Sequence, residues 1–399
     1  MKDGWLLFIH HSSFRIHHLF SVDNLTHSLV GLAAAKAGLE RASPYATPLC
    51  VVASNLPDID IVALAEGPSV YLANHRGITH SLVGVLALGL ALPVLFFAGE
   101  RLLARLRGRA PRARFKGLLV CSLVLIASHP LLDWTNSYGL RPFLPWDGHW
   151  VYGDLLFIVD PWIWLVLGGA CFLLTAGTRP RAAAWALLAC VLTYLFVSFP
   201  RRFGAGLPVA AHAVWFGGLA VFFVLHVSGL AKRRGELVAA ASLALVVVYC
   251  GALALFHHSA LNDSQVVAQK LAARDGEKVL RVAATPALAD PLAWRCFAET
   301  DRSTLRFDLS LGEKTQAENP RGLLKIEKPE GAARELVERA STDGHARVLL
   351  DFARFPVARV LPLQGGGWIV QFADLRFTEP GARSRVGGFA LDVPVTPGP

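Results

Sequence analysis

The chain has 399 residues, 53% of them hydrophobic and only 17% charged, and its mean hydropathy of +0.44 excludes an ordinary soluble protein. Its formal net charge is +9, from 39 Lys and Arg against 30 Asp and Glu. No nucleic-acid recognition motif accompanies that excess, so it is read as membrane topology and contact with anionic lipid headgroups, and no nucleic-acid partner is expected.

Residues 1–21, with His10, His11, His17 and His18, carry a short apolar patch but no small-residue cleavage site of a signal peptide. An alternative start at Val22 would make 1–21 a non-native extension. Two weak apolar candidates follow at about 25–39 and 45–64. Stronger runs stand at 79–98, 117–135, 156–175, 182–199, 207–229 and 236–257, each near the ~20 residues that a bilayer demands. The expected fold is an α-helical polytopic membrane protein with about eight membrane segments, the first two short, over residues 22–258.

From about residue 259 charges become frequent, and alternating runs at 278–283, 304–309, 347–352 and 368–372 read as β-strands, with a helix at 332–340. Residues 259–399 are therefore expected to form a small β-rich or α+β domain outside the membrane. The run Gly365, Gly366, Gly367 is a turn signal, since no GK[ST] follows it. Cys50, Cys121, Cys171, Cys190 and Cys250 lie in apolar segments and Cys296 in the tail, which indicates neither a disulfide framework nor a CxxC zinc site.

Orientation follows from basic residues in short loops. Arg101, Arg105, Arg107, Arg109, Arg112, Arg114 and Lys116 make the loop after the third segment cytoplasmic. Counting outward puts Arg41, Arg179, Arg181, Lys232, Arg233 and Arg234 on the same side, and Arg76, Arg141, Arg201 and Arg202 on the other. Both chain ends and the C-terminal domain are then expected outside.

Imidazoles and carboxylates in or beside membrane segments are costly unless paired or functional. Asp23, His27, Asp58, Asp60, His75, His80, His129, Asp133 and Asp160 all fall at the outer ends of their segments. Asp23 with His27, and His129 with Asp133, are i, i+4 pairs that share a helix face. Each pair can supply two ligands, or one ligand and the carboxylate that orients it. A His/Asp set without thiolate suits zinc or, with more oxygen, manganese or magnesium, and is more typical of a hydrolytic site than of a structural zinc. Taken singly, Asp23, Thr26 and Thr79 read equally well as helix caps and Asp58 and Asp60 as a turn around Pro57, while a histidine bonded to a carbonyl at the Pro130 kink is the weaker reading of His129. Their conjunction on one face favours a site. His149, His212 and His226 read as structural or interfacial, His257 and His258 as either, and Trp134, Trp146, Trp150, Trp162 and Trp164 as an interfacial belt.

Four motifs occur in order: Asp23-Asn24-Leu25-Thr26-His27-Ser28, Asn55-Leu56-Pro57-Asp58-Ile59-Asp60, His75-Arg76-Gly77-Ile78-Thr79-His80-Ser81 and His129-Pro130-Leu131-Leu132-Asp133. Over about residues 22–175 they resemble the YdjM-like family of inner-membrane proteins described as metal-dependent hydrolases. The resemblance implies a bacterial inner-membrane protein, a divalent metal and hydrolysis, with His27, Asp58, Asp60, His75, His80, His129 and Asp133 at the matching positions.

The reading is a membrane-embedded metal-dependent hydrolase with its site at the outer face, acting on a membrane lipid or lipid-linked ester or phosphoester. His27, Asp58, His80, His129 and Asp133 are the expected ligands of a divalent ion, zinc first and manganese or magnesium next. Asp60 and His75 serve as base or supporting shell, and Arg76 holds an anionic substrate group. The alternatives are a metal-binding or transport protein, or a scaffold whose C-terminal domain recruits a protein partner.

Overall fold

The structure, a computed structural model, describes residues 24–202, 206–229, 234–313, 319–363, 366–381 and 388–396. Residues 1–21, Asp23, Lys232, Arg233, Gly365 and the side chains of Arg201 and Arg202 lie outside the description.

The chain opens with a short helix, α1 (Asn24–Lys36), turns through a 3-10 stretch (Leu39–Arg41) and returns as α2 (Ala46–Ala53). At Pro57 a 3-10 run (Leu56–Glu66) takes over from α2, bent from it by 46°. Proline sits in the first turn of the run, where its missing N–H costs nothing. A short α3 (Pro68–Asn74) and a 3-10 turn (Ile78–His80) lead to α4 (Leu82–Leu106) and α5 (Phe115–Trp134). Then follow α6 (Pro161–Thr175), α7 (Arg179–Arg202), α8 (Val209–Ser228) and α9 (Gly235–Arg274).

Eight membrane segments is too high a count. Among the described residues five helices, α4, α5, α7, α8 and α9, are long and apolar enough to cross a membrane, or six if the bent α2 pair is one span. At 1.5 Å per residue α1 rises about 20 Å, and the 15 residues of α6 little more, against about 30 Å of hydrocarbon. The apolar run from 156 loses its first residues to extended chain because Asp160 caps α6 and Pro161 opens it.

Two apolar cores share α1. One joins α1 to α6, α7, α8 and α9 through Leu29, Ile163, Leu167, Trp215 and Leu253; the other joins it to α2, α4 and α5 through Ala35, Leu49, Leu92 and Leu125. Small residues let the backbones approach: a Cβ on Gly31 would stand 2.7 Å from the Cys50 carbonyl oxygen.

The C-terminal region carries two antiparallel sheets. The first runs β1 (Val279–Ala287), β2 (Asp290–Thr300), β3 (Ser303–Ser310), β4 (Arg321–Glu327) in sequence order; the second runs β5 (Pro356–Pro362), β6 (Trp368–Asp374), β7 (Ala390–Val395). Between them lie α10 (Gly331–Ala340) and α11 (Gly344–Phe352). Helix α9 passes position 259 unbroken, and its Ala260, Val267, Ala268 and Leu271 pack under the first sheet with Trp294 and Phe307. The strand expected at 347–352 is helical instead. Ala346, Leu349 and Phe352 recur on one buried face at helical spacing, and Asp343 caps the N-terminus by accepting from the His345 and Ala346 amides.

This region docks on the end of the bundle where α5 finishes. Arg376 donates to the Ser137 carbonyl at 2.6 Å, Arg354 pairs with Asp154 at 2.7 Å, and the Tyr138 ring packs 4.7 Å from Phe352. At the other end the basic loop is tied to the α1–α2 turn, with the Arg114 amide donating to Ser43 Oγ and Arg109 to the Tyr45 hydroxyl. The six cysteines are free thiols.

Candidate metal centre

Three elements converge beneath the docked domain. The 3-10 run after α2 supplies Asp58, the 3-10 turn before α4 supplies His80, and the last turns of α5 supply His129 and Asp133, one helical turn apart. Ser81 fixes the start of α4, its Oγ accepting from the Gly84 amide at 3.2 Å, so His80 is held at the helix mouth. All four side chains are buried.

Their facing atoms lie close together. His80 Nε2 is 3.1 Å from His129 Nε2, 3.5 Å from Asp58 Oδ1 and 3.2 Å from Asp133 Oδ2. His129 Nε2 is 3.4 Å from Asp58 Oδ1 and 3.3 Å from Asp133 Oδ2, and the four atoms all fall within 4.8 Å of one another. A tetrahedral ion with N and O ligands at roughly 2.0–2.1 Å spaces its ligands about 3.3 Å apart, so these separations match the edges of such a polyhedron.

The outer partners settle the tautomers. His129 Nδ1 lies 2.7 Å from the Ser54 carbonyl oxygen, which accepts only if that nitrogen carries the proton. His80 Nδ1 faces Thr79 Oγ1 at 3.0 Å and Asp60 Oδ2 at 3.4 Å. Both Nε2 atoms then turn lone pairs toward two carboxylate oxygens, and among the described residues Asp133 Oδ2 accepts no hydrogen bond although buried. Four converging electron-rich atoms in a dry setting repel one another unless a cation or a proton sits among them. In the metal-free cluster burial opposes charge on His80, but the carboxylates of Asp133, Asp58 and Asp60 beside it outweigh burial and hold the imidazole up at about 10. The donor set fits a divalent ion.

The other expected residues surround this group. His27 is not one of the four converging ligands; its Nε2 lies 3.4 Å from Asp133 Oδ1, and its ring stacks on His129 at 3.8 Å. Asp60 accepts from His75 Nδ1, the Arg76 amide and Thr79 Oγ1 at 3.0, 3.0 and 3.2 Å. With Asp58 and His75 it forms a second triad whose ligand atoms are close enough for a metal. Arg76, at a left-handed φ of 53°, pairs with Asp133 Oδ1 at 2.9 Å, donates to Asn136 Oδ1 at 2.8 Å and lies over the Tyr138 ring. Its guanidinium therefore offsets the charge of one carboxylate of the cluster. Asp160 caps α6 by accepting from the Trp162 and Ile163 amides, and also accepts from the Tyr249 hydroxyl.

Several supporting residues carried no assigned role in the sequence reading. Asn24 donates to Asp58 Oδ2 at 3.1 Å and is itself within 3.3 Å of Asn55 Oδ1, while Asn55 donates to Ser28 Oγ at 3.0 Å. Asn136 and Tyr138 hold Arg76 from the loop after α5. Asn24 and Asn55 stand inside the motifs, and that position was the signal for them. Asn136 and Tyr138 stand in a loop that nothing in the sequence singles out.

The sequence model of the YdjM inner membrane protein family matches residues 22–204, in line with the resemblance carried by the four motifs. The chain is also 28% identical over 184 residues to an uncharacterized protein, YfhP, of Bacillus subtilis strain 168, covering 44% of this chain. The match spans about half of that relative, 53% of its length. No solved structure matches.

Proposed function

From a YdjM-type membrane region built around a buried His/Asp cluster, we propose a metal-dependent hydrolase of the bacterial inner membrane, acting on an ester or phosphoester of a membrane lipid or lipid-linked substrate. The observation that carries this reading is the set Asp58 Oδ1, His80 Nε2, His129 Nε2 and Asp133 Oδ2, with His–His and His–Asp separations of 3.1–3.5 Å and His129 Nδ1 turned outward to the Ser54 carbonyl. These four residues hold the ion, zinc by preference for mixed nitrogen and oxygen donors, and manganese or magnesium otherwise. What such an ion supplies is Lewis acidity toward a carbonyl or phosphoryl oxygen.

The chain's own groups do the rest. Asp60 accepts the Nδ1 proton of His75 and leaves Nε2 of that ring as the atom that takes or returns a proton, the arrangement general-base chemistry needs. Arg76 offsets the charge of Asp133 and keeps the carboxylate aimed. His27, stacked on His129, restricts that ring's rotation. The site and the C-terminal domain share one face, proposed to be the periplasmic one because the basic loop lies at the other.

The test is elemental analysis of the detergent-purified protein beside His80→Ala, followed by assay of chromogenic phosphodiesters and lipid esters. About one equivalent of divalent metal, lost in the variant together with metal-dependent turnover, is the expected result. Metal without hydrolysis of any of these substrates replaces the enzyme by a metal-binding or transport protein. Metal content unchanged in the variant removes the site.

A further inference from the structure

Two cavities border the buried cluster, and they differ in size and chemistry. One, of about 20 Å³ beside His27, Arg76 and Asp133, has room for a single water. From the flank of the bundle there is a cleft of about 420 Å³ along the bent α2 pair. Its walls include Val52, Ile59 and Ile61, and Asn24, Asn55 and Asp58 stand among its lining residues.

The flank cleft opens where lipid must lie. Exposed apolar side chains surround the site on three elements: Val62 is 68% exposed on the 3-10 run, Leu82 63% at the head of α4, and Leu131 65% between the ligands His129 and Asp133. Isolated apolar residues on a surface mean little, but a ring of them at the depth of a buried ionic cluster, continuous with spans α4 and α5, marks the hydrocarbon boundary. Trp146 and Phe143, exposed in the loop beyond α5, suit the headgroup level.

We propose that this cleft admits one acyl chain of a membrane phospholipid sideways from the bilayer, with the lipid's polar end brought to the Asp58 side of the cluster. The inference rests on the hydrolase reading and narrows its substrate to a lipid taken directly from the membrane. Asn24, hydrogen-bonded to Asp58, and Asn55, hydrogen-bonded to Ser28, make the polar end of the cleft, and Val52 and Ile59 grip the chain.

The experiment uses the full chain in phosphatidylethanolamine and phosphatidylglycerol vesicles containing a trace of phosphatidylglycerol with a diazirine midway along one acyl chain. After illumination, the labelled peptides are mapped by mass spectrometry. Several-fold enrichment of label on residues 51–61 over the more exposed α8 is expected, falling to the α8 level in Val52→Trp, Ile59→Trp. Even labelling of both regions in the unaltered protein overturns the proposal, whatever the variant does. Metal content measured on the same samples separates the two readings: metal with even labelling keeps the site and removes the lateral path, and enrichment without metal does the reverse.

Discussion

Asp60 receives three hydrogen bonds, from His75, Arg76 and Thr79, and faces Nδ1 of His80. It therefore acts on the proposed ion through His80 by fixing its ring and tautomer. Loss of such an outer partner typically lowers metal affinity about 10–100-fold, so Asp60→Ala should retain metal that a chelator strips at correspondingly lower concentration. Asp58→Ala, which removes a converging oxygen, should hold none. Equal affinity for Asp60→Ala and the unaltered protein in a chelator competition would move Asp60 out of the site. Arg76 is tied to Asp133 in the same dry setting, where loss of one member of an ion pair leaves an uncompensated charge costing about 3–5 kcal/mol. Its alanine variant is thus a test of folding more than of chemistry.

At the scale of elements, the site depends on how closely α1 and α2 pass. A Cβ on Gly31 would meet Ser54 Oγ at 2.5 Å and the Cys50 carbonyl oxygen at 2.7 Å, and backbone cannot yield as a long side chain can. The neighbouring Ser54 carbonyl accepts the His129 Nδ1 proton. Gly31→Val should therefore push the end of α2 away, release His129 and cost both metal and thermal stability, although residue 31 touches no ligand. A thermal midpoint and metal content equal to those of the native protein would show that the helices slide without disturbing Ser54. Gly84 poses the same constraint at the head of α4, where an added Cβ would overlap the Ile78 carbonyl oxygen at 1.9 Å, within the turn that carries His80.

For the whole molecule, the domain and the site stand at the same end of the bundle. Arg376, Arg354 and Phe352 bind the domain to the loop after α5, so domain and cluster must share a face. The basic loop at the far end carries our proposal that this face is periplasmic, by the positive-inside rule. In spheroplasts an impermeant maleimide should label Trp146→Cys and Glu335→Cys alike, and Arg107→Cys only after permeabilisation. The opposite pattern would place site and domain together in the cytoplasm. Labelling of 146 and 335 from different sides would contradict the docking itself.

Composition and motif order alone determined that this is a membrane protein, that its imidazoles and carboxylates gather at one end of the apolar segments, and that a β-containing domain follows. Those properties follow from burial cost and local periodicity, which a sequence expresses residue by residue. Segment count was not among them, because hydropathy cannot tell a helix of spanning length from apolar chain interrupted at Pro57 or begun only at Pro161. The 347–352 run was equally ambiguous, its six residues matching either period until Asp343 capped a helix. Tertiary structure alone decided which atoms meet: that Asp58, His80, His129 and Asp133 converge while His27 and Asp60 support them, and that Asn136 and Tyr138 hold Arg76. Ligand geometry is a matter of a few tenths of an ångström between distant segments, and only the packing of α1, α2 and α5 sets distances on that scale.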